Sequence, residues 1–327
     1  MDKTRILVIG AGVNGSICAA ALFRAGIDVT VLARGKRYEE LQGEGIVIEN
    51  LLTKARDVVK VPVIVALESE DVYDYALVVV HRHQVKDLLP ALARNRSPNI
   101  VFMVNNPSGP DEFISAIGKE RVMLGFVFAG GKREGSIVRA ISGNIGGVLG
   151  KLFGGGTPFG EIDGAISPRL VRLVDILNRA GLKSRISSDV SDYLATHAAI
   201  VALPIMLFAK YGGNKHTLAR ADSDLRLLVD AWREALAVLN ALGYRIVPPR
   251  FLVVKAIPRF IMLAMLRAFI NSRMWDLATT DMSGDWSELS HSQTFEEFRF
   301  IAKEFGRLTE KTGIPAPSLR QLLTLVQ

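Results

Sequence analysis

Near its start the chain reads Gly10-Ala11-Gly12-Val13-Asn14-Gly15, which fits the spacing GxGxxG. The preceding Ile6-Leu7-Val8-Ile9 is short, aliphatic and stopped by glycine, as a buried strand is. The following Val13–Ala25 carries apolar residues on one helical face and meets Gly26 as its end. Between a strand and a helix, Gly10 permits a tight turn, Gly12 lets the backbone approach a pyrophosphate, and Gly15 lets the helix pack closely on the sheet. The helix N-terminus then points unpaired N–H groups and its positive dipole end at the phosphates. Gly10, Ala11, Gly12, Val13, Asn14 and Gly15 are therefore the expected phosphate-binding set.

Dinucleotide sites that take NAD place an acid about 20 residues on, at the end of the second strand, to hold the ribose 2′-hydroxyl. Here that place, at the end of the strand Val29–Ala33, holds Arg34, followed by Lys36 and Arg37. Cations pair with a 2′-phosphate, so the pattern favours NADP(H), with Arg34 ahead of Lys36. A solvated basic turn is the bland alternative.

The remaining chain must position these residues. Its 327 residues suit about two domains. With 49% hydrophobic and 22% charged residues the composition is globular. One cysteine, Cys18, excludes a disulfide scaffold and reads as a small core residue. No metal site is expected from the five histidines. The net charge of +7 comes without a basic run or aromatic-basic interleaving, so no nucleic-acid partner is expected. The stretches Ala195–Ala209 and Phe251–Ile270 are too short or too interrupted to span a membrane and read as buried helices. The N-terminus reads as a strand start, not a signal peptide, so a cytoplasmic protein is expected.

Short apolar runs follow at Gly45–Glu49, Val61–Ala66, Ala76–Val80 and Ile100–Val104, separated by helical patterns. The expected fold is α/β, an N-terminal Rossmann doubly wound sheet, followed by an all-α C-terminal domain. Glycine-rich residues 125–164, with pairs at 130–131 and 146–147 and a triplet at 154–156, read as antiparallel strands and a loop. Leu170–Ala180 reads as a helix. The domain boundary falls at 185/186. Ser188-Asp189 can cap a helix to about Lys210, with further helices at Leu218–Leu242, Phe251–Asn271 and Thr294–Thr312, and Ser318 capping a short last one.

The segments Ile6–Gly15, Val29–Arg34, Gly45–Glu49 and Gly313-Ile314-Pro315-Ala316-Pro317 resemble ketopantoate reductase (2-dehydropantoate 2-reductase), across nearly the whole chain. The resemblance implies an NADPH-dependent reductase of a small 2-oxo acid, acting at a cleft between the two domains. It implies that Asn105 matches the asparagine of an Asn-Gly pair near nicotinamide and substrate, with Asn106 in place of the glycine. His81 falls where a cofactor-side lysine stands, and His197 where the lysine general acid stands. Two substrate-binding asparagines are matched by Val201 and Ile205, a substrate-site Glu by Glu297 beside Glu296, and a carboxylate-binding serine by Ser283.

A protonated His197 can give a proton to a carbonyl oxygen near neutral pH, or it can be a hydrogen-bonded histidine in an Ala-rich helix. Asn105 and Glu297 join it as expected catalytic residues; their bland readings are a turn residue and a solvated charge. His81 and His83 can likewise be ordinary loop polar groups. Trp275 and Trp286 bracket a polar stretch that reads as a lid or an anchored loop. Val201 and Ile205 favour a more apolar oxo acid than ketopantoate. The alternatives are another NAD(P)-dependent hydroxy-acid or imine dehydrogenase, or a non-catalytic NADPH-binding sensor. The apolar Phe251–Ile270 face makes a homodimer the expected assembly.

Overall fold

The computed structural model describes residues 4–51, 53–126, 131–140, 155–279 and 293–326. The chain divides into two units, Met1–Val104 with Pro110–Val190, and Asn105–Gly109 with Ser191–Gln327.

The first unit opens with β1 (Arg5–Ile9), α1 (Val13–Arg24), β2 (Asp28–Leu32), α2 (Gly35–Gly43), β3 (Ile46–Asn50), β4 (Arg56–Val59), β5 (Val63–Ile64) and β6 (Tyr75–Val78). It continues with α3 (Val85–Arg94), β7 (Ile100–Phe102), α4 (Asp111–Ile117), β8 (Val122–Gly125), β9 (Gly131–Glu134), β10 (Ile137–Ala140), β11 (Thr157–Glu161), α5 (Pro168–Arg179) and β12 (Ser184–Ile186). The main sheet has the order β12-β11-β8-β7-β6-β1-β2-β5, and β5 through β8 in that row are parallel. The chain runs outward from β1 through β2 to β5, then returns to β6 on the other side of β1. That reversal creates a switch point at the carboxyl ends of β1 and β6, where open α/β sheets bind ligands. Ile6–Ile9 and Tyr75–Val78 are at most 2% exposed, which is why both strands read as unbroken apolar runs.

A second sheet, β4-β3-β10-β9, packs against α1 and was not legible as a sheet. The expected strand Val61–Ala66 shrinks to Val63–Ile64, because β2 pairs with it over only two residues. The neighbouring Arg56–Val59, polar at its start, makes a full strand instead by pairing with β3. The glycine-rich region contains the antiparallel β9–β10 hairpin, and β11 runs antiparallel to β8. Gly130, Gly146, Gly147 and Gly154 lie outside the described residues.

Among the described residues the second unit contains helices and no strands: α6 (Val190–Lys210), α7 (Lys215–Arg220), α8 (Asp222–Ala241), α9 (Val253–Ala256), α10 (Arg259–Ile270), α11 (Arg273–Ala278), α12 (Gln293–Thr312) and α13 (Pro317–Leu323). Helix α6 is long and apolar enough to cross a membrane, with mean hydropathy 1.6, but 78% of that stretch is buried in the protein. It forms the core with Leu225, Leu228, Val229, Trp232, Leu236 and Leu239 of α8.

Three expected helices change. Leu218–Leu242 is two helices, broken at Ala221, whose ψ of 73° is not helical. Phe251–Asn271 is broken at Ile257-Pro258: proline offers no N–H and holds the preceding residue extended, at ψ 134°. The last helix starts with Pro317 at its first position and Ala316 as N-cap, so Ser318 is inside it and caps nothing.

Candidate active site

The glycine motif turns between β1 and α1 at the switch point. Gly10 has φ +102°, and a Cβ there would lie 2.4 Å from the Val79 carbonyl oxygen. A Cβ on Gly15 would lie 1.8 Å from the Gly10 carbonyl oxygen, so only glycine lets the helix sit this close to its own loop. Gly12 differs. Its φ of −71° suits any residue, and a Cβ there would meet nothing within 4 Å. The fold does not demand glycine at 12; the open space above it is what a ligand's approach to the backbone requires. Gly12 is also the N-cap of α1, with no side-chain cap and no acid in the first turn, so an anion meets no competing charge there. This cradle fits a pyrophosphate.

The three cations after β2 separate. Arg34 and Lys36 are exposed at the start of α2. Arg37 is instead built into the loop. Its Nε donates to the Ala11 carbonyl at 3.0 Å, its Nη2 to Ser16 Oγ at 3.1 Å, and its Nη1 to the Ser136 carbonyl and Glu40, both at 3.0 Å. Burial lowers its pKa from the usual arginine value. Arg37 thus joins α2, the β9–β10 turn and the phosphate loop, and does not present a free guanidinium to a 2′-phosphate. The buried Ser16, which also donates to Ala11 O at 3.1 Å, completes this brace. Sequence reasoning passed over both roles, since nothing local marks them.

His81 follows β6 as the N-cap of a short 3₁₀ turn. Its backbone carbonyl accepts from the Gln84 N–H at 3.0 Å, and the Gln84 side chain accepts from His81 N–H at 3.2 Å. The His81 and His83 rings stack with centroids 5.6 Å apart. Between them the buried Arg82 pairs with Glu112 at 2.5 Å and lies over Phe113.

In the second unit the segment Asn105–Gly109 lies along α12. Asn105 Nδ2 donates to Glu297 Oε1 at 2.9 Å, and Ser108 Oγ donates to Glu304 Oε2. Glu297 and Glu304 are seven residues apart, two turns and about 10 Å along one helix face. They are 4% and 7% exposed, whereas Glu296 is a surface partner of Arg299. Gly109, at φ +81°, lets Tyr244 approach: a Cβ would sit 2.6 Å from its hydroxyl. Two expected catalytic residues, Asn105 and Glu297, are therefore a hydrogen-bonded pair. The i, i+7 spacing of the two glutamates was the readable signal for Glu304, and it went unused.

His197 lies on α6, partly buried, its ring stacked near Tyr193 at 6.0 Å between centroids. Desolvation pushes its pKa down from 6.5 to about 3. That direction runs against the expectation of a protonated His197 near neutral pH. Val201 and Ile205 pack in the helical core. Ser283 and Trp286 lie outside the described residues. Trp275 is 3% exposed, edge-on to Phe208 and Phe269, which makes it a core residue. Cys18 is fully buried, and burial raises its pKa to about 12. Among the described residues no cluster of His, Cys, Asp and Glu could hold a metal.

Residues 6–151 match the family model for ketopantoate reductase PanE/ApbA. The chain is 26% identical over 205 residues to a 2-dehydropantoate 2-reductase from Archaeoglobus fulgidus, a match covering 62% of this chain and 62% of that protein. The fold is shared with a D-mandelate dehydrogenase solved with NADH and anilino(oxo)acetate, at TM-score 0.77 and 15% identity over 99% of this chain and 97% of that one. It is also shared with a 2-dehydropantoate 2-reductase from Geobacter metallireducens, at TM-score 0.74 and 19% identity over 98% of each chain. Over residues 6–151, which include the glycine cradle at the switch point, the chain is similar to the ketopantoate reductase PanE/ApbA family.

Proposed function

We propose that this protein is an NADPH-dependent reductase of a small 2-oxo acid, similar to 2-dehydropantoate 2-reductase. The observation that carries the reading is Gly12: a glycine the fold does not need, at an uncapped helix N-terminus, in a chain whose residues 6–151 match this family's model. Gly10 to Gly15 hold the pyrophosphate. Arg34 and Lys36, exposed and without an acid at the end of β2, take the 2′-phosphate. The D-mandelate dehydrogenase neighbour, which carries NADH, keeps the same scaffold open to either nicotinamide cofactor and to hydroxy acids beyond pantoate.

A reduced nicotinamide, when bound, supplies the hydride. The chain's own residues supply orientation and the proton. Glu297 accepts from Asn105 and so sets which way the amide faces, leaving Asn105 Oδ1 and one Nδ2 proton for a ligand. His197 is neutral at rest and holds its proton on a ring nitrogen. An anionic substrate beside it raises its pKa, which couples substrate loading to proton uptake. Val201 and Ile205, apolar and packed, favour an oxo acid with fewer hydroxyls than ketopantoate.

In this reading the enzyme is cytoplasmic and has no nucleic-acid or membrane partner. It is a homodimer through α10, whose solvent face Phe260, Ile261, Ala264, Met265 and Ala268 is apolar, with Phe260 73% exposed.

The test is steady-state oxidation of NADPH and of NADH against ketopantoate and a panel of 2-oxo acids. Turnover of a panel member with NADPH preferred supports the reading. NADPH binding without turnover of any member moves the protein to a cofactor-binding sensor.

A further inference from the structure

Two donors converge on the Ala11 carbonyl oxygen, within the glycine loop: Arg37 Nε at 3.0 Å and Ser16 Oγ at 3.1 Å. Arg37 Nη2 also donates to Ser16 Oγ at 3.1 Å, which closes a ring of three groups around a fully buried serine. The guanidinium is itself held from outside the loop. Its Nη1 donates to Glu40 and to the Ser136 carbonyl of the β9–β10 turn, both at 3.0 Å, and Glu40 is held in turn by Arg133 at 3.0 Å. These four acceptors, Ala11 O, Ser16 Oγ, Glu40 and Ser136 O, suit the planar fork of arginine, and a lysine ammonium could not span them.

The Ala11 oxygen shares one rigid peptide unit with the Gly12 N–H. That peptide is trans, so the C=O and the N–H point to opposite sides. Fixing the oxygen on Arg37 and Ser16 therefore fixes the Gly12 N–H pointing away from them. Gly12 is exposed, and the space a Cβ would enter is open. A cationic donor on the carbonyl oxygen also polarises the peptide, which makes its N–H a stronger donor to an anion. We infer that Arg37, acting through Ser16 and the Ala11–Gly12 peptide, aims the Gly12 N–H at the pyrophosphate of the cofactor. The inference rests on the functional reading above. It makes Arg37 a positioning residue, which touches the loop and not the ligand, and it gives the second sheet, through Ser136 and Arg133, a part in cofactor binding.

The experiment compares the full-length protein with Arg37→Met, Arg37→Lys and Ser16→Ala. Each is titrated with NADPH, NADH and adenosine 2′-monophosphate, which lacks the pyrophosphate. Arg37→Met should bind NADPH and NADH about tenfold more weakly, by the same factor, and bind adenosine 2′-monophosphate as the wild type does. Arg37→Lys keeps the charge and should lose as much. Ser16→Ala removes one of the two donors and should show a smaller loss of the same pattern; it carries the test where Arg37→Met does not fold. In the free proteins the Gly12 amide NMR signal should shift in Arg37→Met and in Ser16→Ala, while that of Gly26, beyond the far end of α1, stays in place. A loss for NADPH alone would make Arg37 a 2′-phosphate ligand and overturns the inference. Full rescue by lysine, an equal loss for adenosine 2′-monophosphate, unchanged affinity for both dinucleotides or an unmoved Gly12 signal each overturns it too. Failure of the wild type to bind any nicotinamide dinucleotide overturns the functional reading, and this inference with it.

Discussion

Replacing His197 by glutamine isolates a pH-dependent contribution to stability. The ring's pKa is depressed in the folded chain, from 6.5 to about 3. Above pH 6.5 both folded and unfolded chains carry a neutral ring, and the residue adds no slope. Between 6.5 and 3 the unfolded chain takes up a proton that the folded chain refuses, so stability falls as pH falls through this window. Each pH unit costs about 1.4 kcal/mol, so at pH 5 the wild type loses about 2 kcal/mol through this residue alone. In a chain of 327 residues, with an unfolding entropy of about 2.1 cal/mol/K per residue, that is a melting-temperature difference of about 3 °C. Glutamine has no such proton. His197→Gln should therefore gain on the wild type as pH is lowered from 7 to 5, while contributions from carboxylates cancel between the two proteins. Paired thermal and urea melts at each pH measure the difference. Parallel stability curves, or an NMR titration of the His197 ring with a midpoint near 6.5, would refute the reasoning and restore a cationic proton donor at rest.

Gly15→Ala should abolish dinucleotide binding and lower the melting temperature, because its Cβ would lie 1.8 Å from the Gly10 carbonyl oxygen; a thermal-shift assay with and without NADPH reads both. Arg34→Glu with Lys36→Glu should weaken NADPH binding at least tenfold and leave NADH affinity nearly unchanged, as titrated by cofactor fluorescence; equal losses for both cofactors would remove the 2′-phosphate role. A double-mutant cycle of Asn105→Ala and Glu297→Gln in urea should give a coupling energy of about 1–3 kcal/mol, and additive effects would mean the bond is not made in solution. Phe260→Asp should convert a dimer to a monomer in light scattering; an unchanged mass would place the interface elsewhere.

The glycine loop was readable because its requirements are local. A strand, a turn with φ +102°, a close approach and an exposed helix start all fall within six residues, and each needs a particular residue type. The cations after β2 show where local reading stops. Arg34, Lys36 and Arg37 are equivalent by charge and spacing, yet only Arg37 faces Ala11, Ser16 and Ser136, the last of them 99 residues away. No local pattern separates a bracing arginine from a ligand-binding one. The second sheet was missed for a similar reason: the pairing of Ile46–Asn50 with Ile137–Ala140 joins segments almost 90 residues apart, and each alone is a weak strand.

The helical unit divides the same way. Apolar periodicity marked its helices, and a proline broke one of them by a rule visible in the sequence once applied: Pro258 cannot continue the helix that precedes it. The family resemblance pointed to Asn105, His197 and Glu297 one by one. Composition and motif thus determined an α/β dinucleotide-binding unit followed by helices, because backbone conformation and hydrophobic burial are encoded in short windows. Tertiary structure alone decided that Asn105 and Glu297 share a hydrogen bond, that burial lowers the His197 pKa, and that the Asn106 amide is buried with no partner among the described residues. Desolvation and pairing depend on what surrounds a group, and those surroundings come from segments up to 192 residues away.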